Sequence, residues 1–454
     1  MLNKVISVCA IKDLEAWAVA APQILRFIRA RHYEVIVPDD QVESFAKRTP
    51  SAIKVVAESF YLGGFSLAWC KSQMPEWAHS RAGWYLQQII KISALGAGRP
   101  GQTALIWDAD TVPLRPLHFF NDSGCLQYYR GRDKPEFWTP YFETLQSLVG
   151  FDRCAPHSFI SQSFPVRVEW VQAFQIHVEQ RHGVPWPQAI MATLDHTKGG
   201  CCFSEYETLG NFFYQHWPDS IVFSPRTHFR EGTRLIGRAI DVHNPEWSRL
   251  PEWIDYIAFE EYQTGRYRGL NLGCGNDVKE KTFRGNYFIN SDLDFSPWSD
   301  FEFDITKPWP FPDGYFEHLM AMNVLEHVDD LVGVLREADR CLEVGGLLQF
   351  EVPYIGSHNH GTDVTHKRGF TFESFQFLMK EDEEKRKNYL FRNPAERPFD
   401  YKLMQFFGEV IDAGELRREV MTAIPERLSY GPWIDHMRST AIPGTFGMVM
   451  QKVS

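Results

Sequence analysis

Short apolar runs and amphipathic stretches take turns from the first residues onward. Val5–Ile11 and Glu34–Val37 are β-rich, and Trp17–Arg31 between them keeps helical spacing without an internal glycine. This order predicts β-α-β, the opening of a parallel sheet. A second helical stretch over Trp84–Leu95 leads to a strand over Thr103–Trp107; Ser158–Phe164 reads as a strand, Glu169–Arg181 as a helix, and the pattern fades near Arg230–Gly237. Residues 241–264 carry Pro245 and Pro251 among acidic and aromatic residues and read as a linker, with Trp247, Trp253 and Tyr256 suited to packing. A new alternation then predicts strands over Leu270–Leu272, Tyr287–Ser291, His318–Met322 and Leu347–Val352, with a helix over Leu331–Leu342. Lys380–Lys387 reads as a solvated charge run, and Met448–Lys452 as a closing edge strand. The expectation is an α/β protein of two domains, 1–240 and 265–454, joined by 241–264.

Composition changes this picture little. With 454 residues, 44% of them hydrophobic, the chain can bury two cores. The net charge of −11 argues against a nucleic-acid partner, which needs a basic footprint. Eight cysteines without a CxxC pair suit a reducing cytosol. The start, MLNKVISVCAIKDLE, reads as a core strand rather than a secretory leader, and no 18-residue apolar stretch predicts a membrane span. A cytoplasmic protein is expected, working from the inner face of the membrane if its substrate is lipid-linked. Oligomeric state is not legible.

Two places carry chemistry. In IWDAD (Ile106–Asp110) an apolar strand delivers Asp108 and Asp110, separated by small Ala109, to one turn. Two such carboxylates can share a hard divalent cation, Mn²⁺ or Mg²⁺, that bridges a diphosphate. The stretch ALIWDADTVPLRP resembles the DxD segment of GT-A glycosyltransferases. RAGWYLQQIIKISA (Arg81–Ala94), SFISQSFPV (Ser158–Val166) and CFSEYETLGNFF (Cys202–Phe213) resemble, in order, segments of a bacterial family of that type. The resemblance covers about residues 1–235. It implies a nucleotide-sugar donor, a metal at Asp108 and Asp110 with His228 as a late third ligand, and Glu205 or Glu207 as general base. Arg81, Gln87 and Lys91 would line the donor diphosphate, and Asp39 and Asp40 would touch the nucleoside. Each has a plainer reading: a loop histidine, helix-N-terminal carboxylates, solvated polar residues.

The second place is LNLGCGN (Leu270–Asn276). Gly273 and Gly275 permit a tight turn after a strand, where doubly wound sheets bind ligands. Asp277 stands where a dinucleotide fingerprint has its third glycine, which disfavours NAD. Asp292, in INSDLD, ends the next strand and can hold ribose hydroxyls. With FEFDITKPWPFPDGYFEHLMAMNVLEHV and LREADRCLEVGGLLQFEVP, these motifs strongly resemble the Rossmann-like class I S-adenosylmethionine methyltransferases. The resemblance places Gly273, Gly275 and Asn276 along the methionine moiety, Asp292 on ribose, Asp304 and Ile305 beside adenine, and Asn323 and His327 toward the sulfonium and acceptor. His358, His360, Asp363 and His366 follow within nine positions; they can bind a metal, contact an acceptor, or simply form a loop. His327 or His366 is the candidate base for O-methylation.

The expected function is bifunctional: sugar transfer and O-methylation on one bacterial surface glycan, the fusion raising local concentration. Two readings stand beside it. The first domain is a non-catalytic glycan-binding module, or the methyl acceptor is a protein or small metabolite.

Overall fold

The computed structural model describes all residues except 133–134, 199–200, 253, 297, 372–373, 376–377, 379–398, 413–414, 423–443 and 454. The predicted charge run Lys380–Lys387 and Trp253 lie outside the described residues. The chain divides into two units, one of Met1–Val242 with Glu252–Thr264, the other of His243–Pro251 with Gly265–Ser454.

In the first unit β1 (Leu2–Val8), β2 (Ala30–Val37), β3 (Lys54–Ala57) and β4 (Thr103–Trp107) run parallel, and β1 pairs with both β2 and β4. Helices Leu14–Phe27 and Ala82–Gly96 connect them. Strand β4 is buried at every position, as expected of a central strand covered on both faces. Directly after it, β5 (Thr111–Pro113) leaves for a second sheet; β6 (Leu126–Tyr128) pairs later with β8 (Ile221–Phe223). The main sheet is completed by β7 (Ser163–Arg167), antiparallel to β4, giving the order β3-β2-β1-β4-β7.

Strand prediction over Ser158–Phe164 fails for most of its length. Gln162 turns the chain through a left-handed conformation (φ 56°) and its carbonyl accepts from the amide of Asp108, so the strand starts only at Ser163. The assigned linker is not a linker throughout. Within it β10 (Ile254–Ala258) is the middle strand of a three-stranded sheet, antiparallel to β5 and parallel to β9 (Thr227–Phe229). All five residues of β10 are buried, including Asp255, which Tyr129 and the fork of Arg226 satisfy.

In the second unit β11 (Tyr267–Leu272), β12 (Tyr287–Asp292), β13 (Phe301–Glu302), β14 (Phe316–Met322) and β15 (Leu342–Pro353) are parallel. Antiparallel β16 (Tyr401–Asp412), β17 (Glu415–Thr422) and β18 (Thr445–Lys452) extend the sheet to β13-β12-β11-β14-β15-β18-β16-β17. Strand β18 is therefore interior, not the predicted edge. It pairs with β15 on one side and β16 on the other, and Thr445–Met450 are all buried. Helix Leu331–Cys341 opens on Asp330, whose carboxylate caps the Gly333 amide, and lays Leu331, Val334, Leu335, Ala338 and Cys341 inward. Among the described residues no helix is long and apolar enough to cross a membrane.

Candidate active site

In the first unit the Asp-Ala-Asp turn sits at the carboxyl end of β4. The carbonyl of Asp110 accepts from the Phe259 amide, so β10 holds the turn from one side. From the other side, Lys91 on helix Ala82–Gly96 reaches Asp108 Oδ1 and Glu205 Oε1, each at 2.7 Å. The Tyr206 hydroxyl donates to the same Asp108 oxygen at 2.7 Å. Burial works against the charge of Lys91, but the two carboxylates outweigh it and hold the ammonium above its usual range. Burial raises Glu205. Burial, with Asp108 and Glu260 next, pushes Asp110 up to about 8.

The other expected residues are distributed as follows. Glu207 is not placed as a base: Ser158, the Phe159 amide and Asn211 occupy its carboxylate, and the group is buried. Its position behind the Ser204 N-cap makes it a brace for the loop before β7. His228 lies on β9, stacked on Tyr256 at 5.0 Å, and burial, then Arg132 and Arg230, lower it to about 3. Its Nδ1 is buried without a hydrogen-bond partner. Asp108, Asp110 and His228 do not gather into a ligand set: among the described residues the one group of three or more ligand-type side chains with donor atoms within 4.8 Å of one another is elsewhere. Asp39 is spent on Ser59.

In the second unit the expected residues converge along one edge. Strands β13, β12, β11 and β14 are neighbours and parallel, so the turns after them share that edge. Gly273 and Gly275 have φ of 57° and 51°, where side chains are strained. A Cβ on Gly273 would lie 2.6 Å from Val324, whereas Gly275 faces open space. Asp292 reaches across from β12 and accepts the Gly275 amide at 2.8 Å, tying the two turns together. Asn276 is exposed beside them. Asp304 accepts the amide and hydroxyl of Thr306; slight burial raises it, but these bonds bring it below the usual carboxylate range. The Ile305 carbonyl accepts from the Trp309 indole. Asn323 adopts φ 54° and its amide donates to Glu351 on β15, which sets the turn after β14. The cradle of glycine amides, an acid on the neighbouring strand and an open floor fits a nucleoside ligand carrying a charged tail.

The histidine-rich loop does not act as one cluster. His358 is exposed, Asp363 binds Thr365, and His360 meets His366 through its carbonyl and a ring contact at 5.9 Å. The group that does gather is Glu326, His327 and His366. The rings of His327 and His366 are 4.8 Å apart, and Glu326 is fully buried, which pushes its carboxyl up to about 7. Glu326 stands inside the NVLEHV motif, but only the fold shows its carboxylate turned inward toward a histidine 40 residues later.

The sheet order and cradle define this unit as a mixed α/β, Rossmann-like domain. Residues 270–350 match the family model described as "Methyltransferase domain", which supports S-adenosylmethionine-dependent methyl transfer. Similar solved structures include a SAM-dependent methyltransferase from Archaeoglobus fulgidus, 18% identical over 41% of this chain and 86% of that one, TM-score 0.28. Another is a methyltransferase from Thermotoga maritima described as a possible histamine N-methyltransferase, 16% identical over 42% of this chain and 84% of that one, TM-score 0.24. No curated protein matches the chain.

Proposed function

We propose that the second unit moves a methyl group from S-adenosylmethionine to a hydroxyl of a glycan, and that the first adds a sugar to the same glycan from a nucleotide-sugar donor. The methyl-transfer reading is carried by one observation, the Asp292 carboxylate bonded to the Gly275 amide across two strand ends. That arrangement leaves a carboxylate lone pair for ribose hydroxyls and an open glycine turn for the methionine end. S-adenosylmethionine held in this cradle would supply an electrophilic methyl carbon to the acceptor oxygen, whose proton leaves to solvent.

The sugar-transfer reading rests on the acids at the end of β4. Mn²⁺ or Mg²⁺ at Asp108 and Asp110 would offset charge on the departing diphosphate. Lys91 and Tyr206 fix the orientation of Asp108. A specific observation favours the alternative of a binding module. The ammonium of Lys91 already neutralises Asp108 at 2.7 Å.

The test is methyl transfer from labelled S-adenosylmethionine to purified cell glycan and, in parallel, to cell protein. Asp292→Ala removes two charge-assisted hydrogen bonds to ribose, about 1.5–3 kcal/mol each, so S-adenosylhomocysteine should bind at least roughly 100-fold more weakly by calorimetry. Unchanged affinity would sink the cradle, and label appearing in protein alone would sink the glycan acceptor. For the first unit, Asp108→Asn with Asp110→Asn should abolish Mn²⁺-dependent sugar transfer; if no transfer exists to be lost, the unit is a binding module.

A further inference from the structure

The three side chains that gather after β14 have an unusual protonation pattern. Thr365 spends its one hydroxyl proton on Asp363, at 2.6 Å. Its contact with His327 Nδ1, at 3.0 Å, must therefore be a bond in which the ring donates. His366 Nδ1 lies 3.0 Å from the His360 carbonyl, which can only accept, so this ring donates too. Both imidazoles are thus held as the tautomer whose Nε2 carries a bare lone pair. These two nitrogens lie 4.0 Å and 3.9 Å from Glu326 Oε1. His366 Nε2 is also 3.9 Å from Asp363 Oδ2. Both carboxylate oxygens of Glu326 are buried without a hydrogen-bond partner on another residue.

With both imidazoles neutral and Glu326 ionised, three acceptors face one another with no donor between them. Lone pairs so arranged repel, and a buried carboxylate without a partner is costly. A cation resolves both. The outer bonds are those of metal-binding histidines, whose second nitrogen donates to a carbonyl or a carboxylate-linked hydroxyl. Two imidazoles and one carboxylate suit a first-row transition ion with open positions for water or substrate better than Mg²⁺.

We infer that Glu326, His327 and His366 bind a divalent transition-metal ion on the acceptor side of the methyl-donor cradle. Ligand bonds of about 2.1 Å put donors roughly 3.0–3.5 Å apart, so the two Glu326–histidine separations have to close by about 0.5–1 Å, within the reach of side-chain torsions. The role of the ion rests on the methyl-transfer reading: an acceptor hydroxyl bound at an open position loses its proton to solvent more readily and gives the C–O bond as S-adenosylhomocysteine departs. The histidines are then ligands rather than the base.

The experiment is titration of the metal-stripped full-length protein with Co²⁺, read by visible absorption and by bound metal per chain after dialysis. Asp108→Asn with Asp110→Asn serves as background so that the first unit does not contribute. One Co²⁺ per chain with a ligand-field spectrum is expected. His366→Ala and Glu326→Gln should lose it, and Thr365→Val, which frees the His327 ring, should weaken it by about 10–100-fold. Affinity for S-adenosylhomocysteine should persist in these variants, which separates failure of the site from failure of the cradle. No spectrum in the background protein, or an equal one in His366→Ala and Thr365→Val, overturns the site and leaves a proton shared within the cluster.

Discussion

Lys91 is the buried charge on which the first site depends, and Lys91→Met tests that. The side chain is 6% exposed and makes contacts of 2.7 Å to Asp108 and Glu205, with Tyr206 at 3.2 Å. Methionine nearly preserves the volume but removes the cation, and leaves Glu205, at 4% exposure, as an uncompensated buried carboxylate. Breaking a buried pair in this way costs about 3–5 kcal/mol. For a unit of this size each kcal/mol moves the melting temperature by roughly 2–4 °C, so a drop of about 6–20 °C is expected by calorimetry at pH 7.5. The pH dependence has a definite sign. Without the cation the Glu205 carboxyl, already raised by burial from its ordinary 4.5, rises further. The folded state then binds a proton that the unfolded chain releases, so the deficit is small near the ordinary value and grows as pH climbs toward the folded one. The double variant with Glu205→Gln should recover much of the loss. A melting temperature within about 2 °C of wild type at pH 7.5, or a deficit as large at pH 5 as at pH 7.5, would refute the reasoning.

Three further outcomes follow from packing and pairing. Gly210→Ala places a Cβ 2.2 Å from the Phe159 ring, so overpacking of about 1–3 kcal/mol should outweigh the gain in helix propensity, seen as a lower urea midpoint. Arg226→Ala strips the fork from Asp255, which is 1% exposed, and should cost about 1.5–3 kcal/mol in the same assay, the Tyr129 bond remaining. Gly273→Ala combines φ 57° with a 2.6 Å approach to Val324; S-adenosylhomocysteine affinity should fall by at least about tenfold while most of the fold's stability is kept, because the strain sits in the ligand turn.

The parallel strands were readable because central strands are nearly continuous apolar runs: β4 matches its predicted bounds, and β11, β12 and β14 lie within a few residues of theirs. Elements with mixed character were not. Ile254–Ala258 carries Asp255 and follows Pro251, which by local rules reads as loop, and only the distant Tyr129 and Arg226 make its burial tolerable. The end strand was misplaced although its run GMVM is apolar on both faces, the mark of a strand paired on both sides. At the sites, short motifs located the glycines, Asp292 and the Asp-Ala-Asp turn. They could not show that Lys91, bound to Asp108, reaches Glu205 114 positions away, that Glu207 braces a loop, or that Thr365 fixes a histidine ring 38 residues earlier. Such pairings are set by topology, and periodicity does not encode them.

Strand β10 also governs how the gene can be cut. The chain passes between units at 242/243, 251/252 and 264/265. A polypeptide ended at 240, the boundary that motif spacing suggests, would lose the strand that lies between β5 and β9. Asp110 would lose the amide of Phe259, and Arg226 its carboxylate. A fragment carrying the first unit therefore has to run to 264 and take His243–Pro251 with it as a foreign loop. Protease nicking within that loop should yield two pieces that stay associated, because each retains chain from both units.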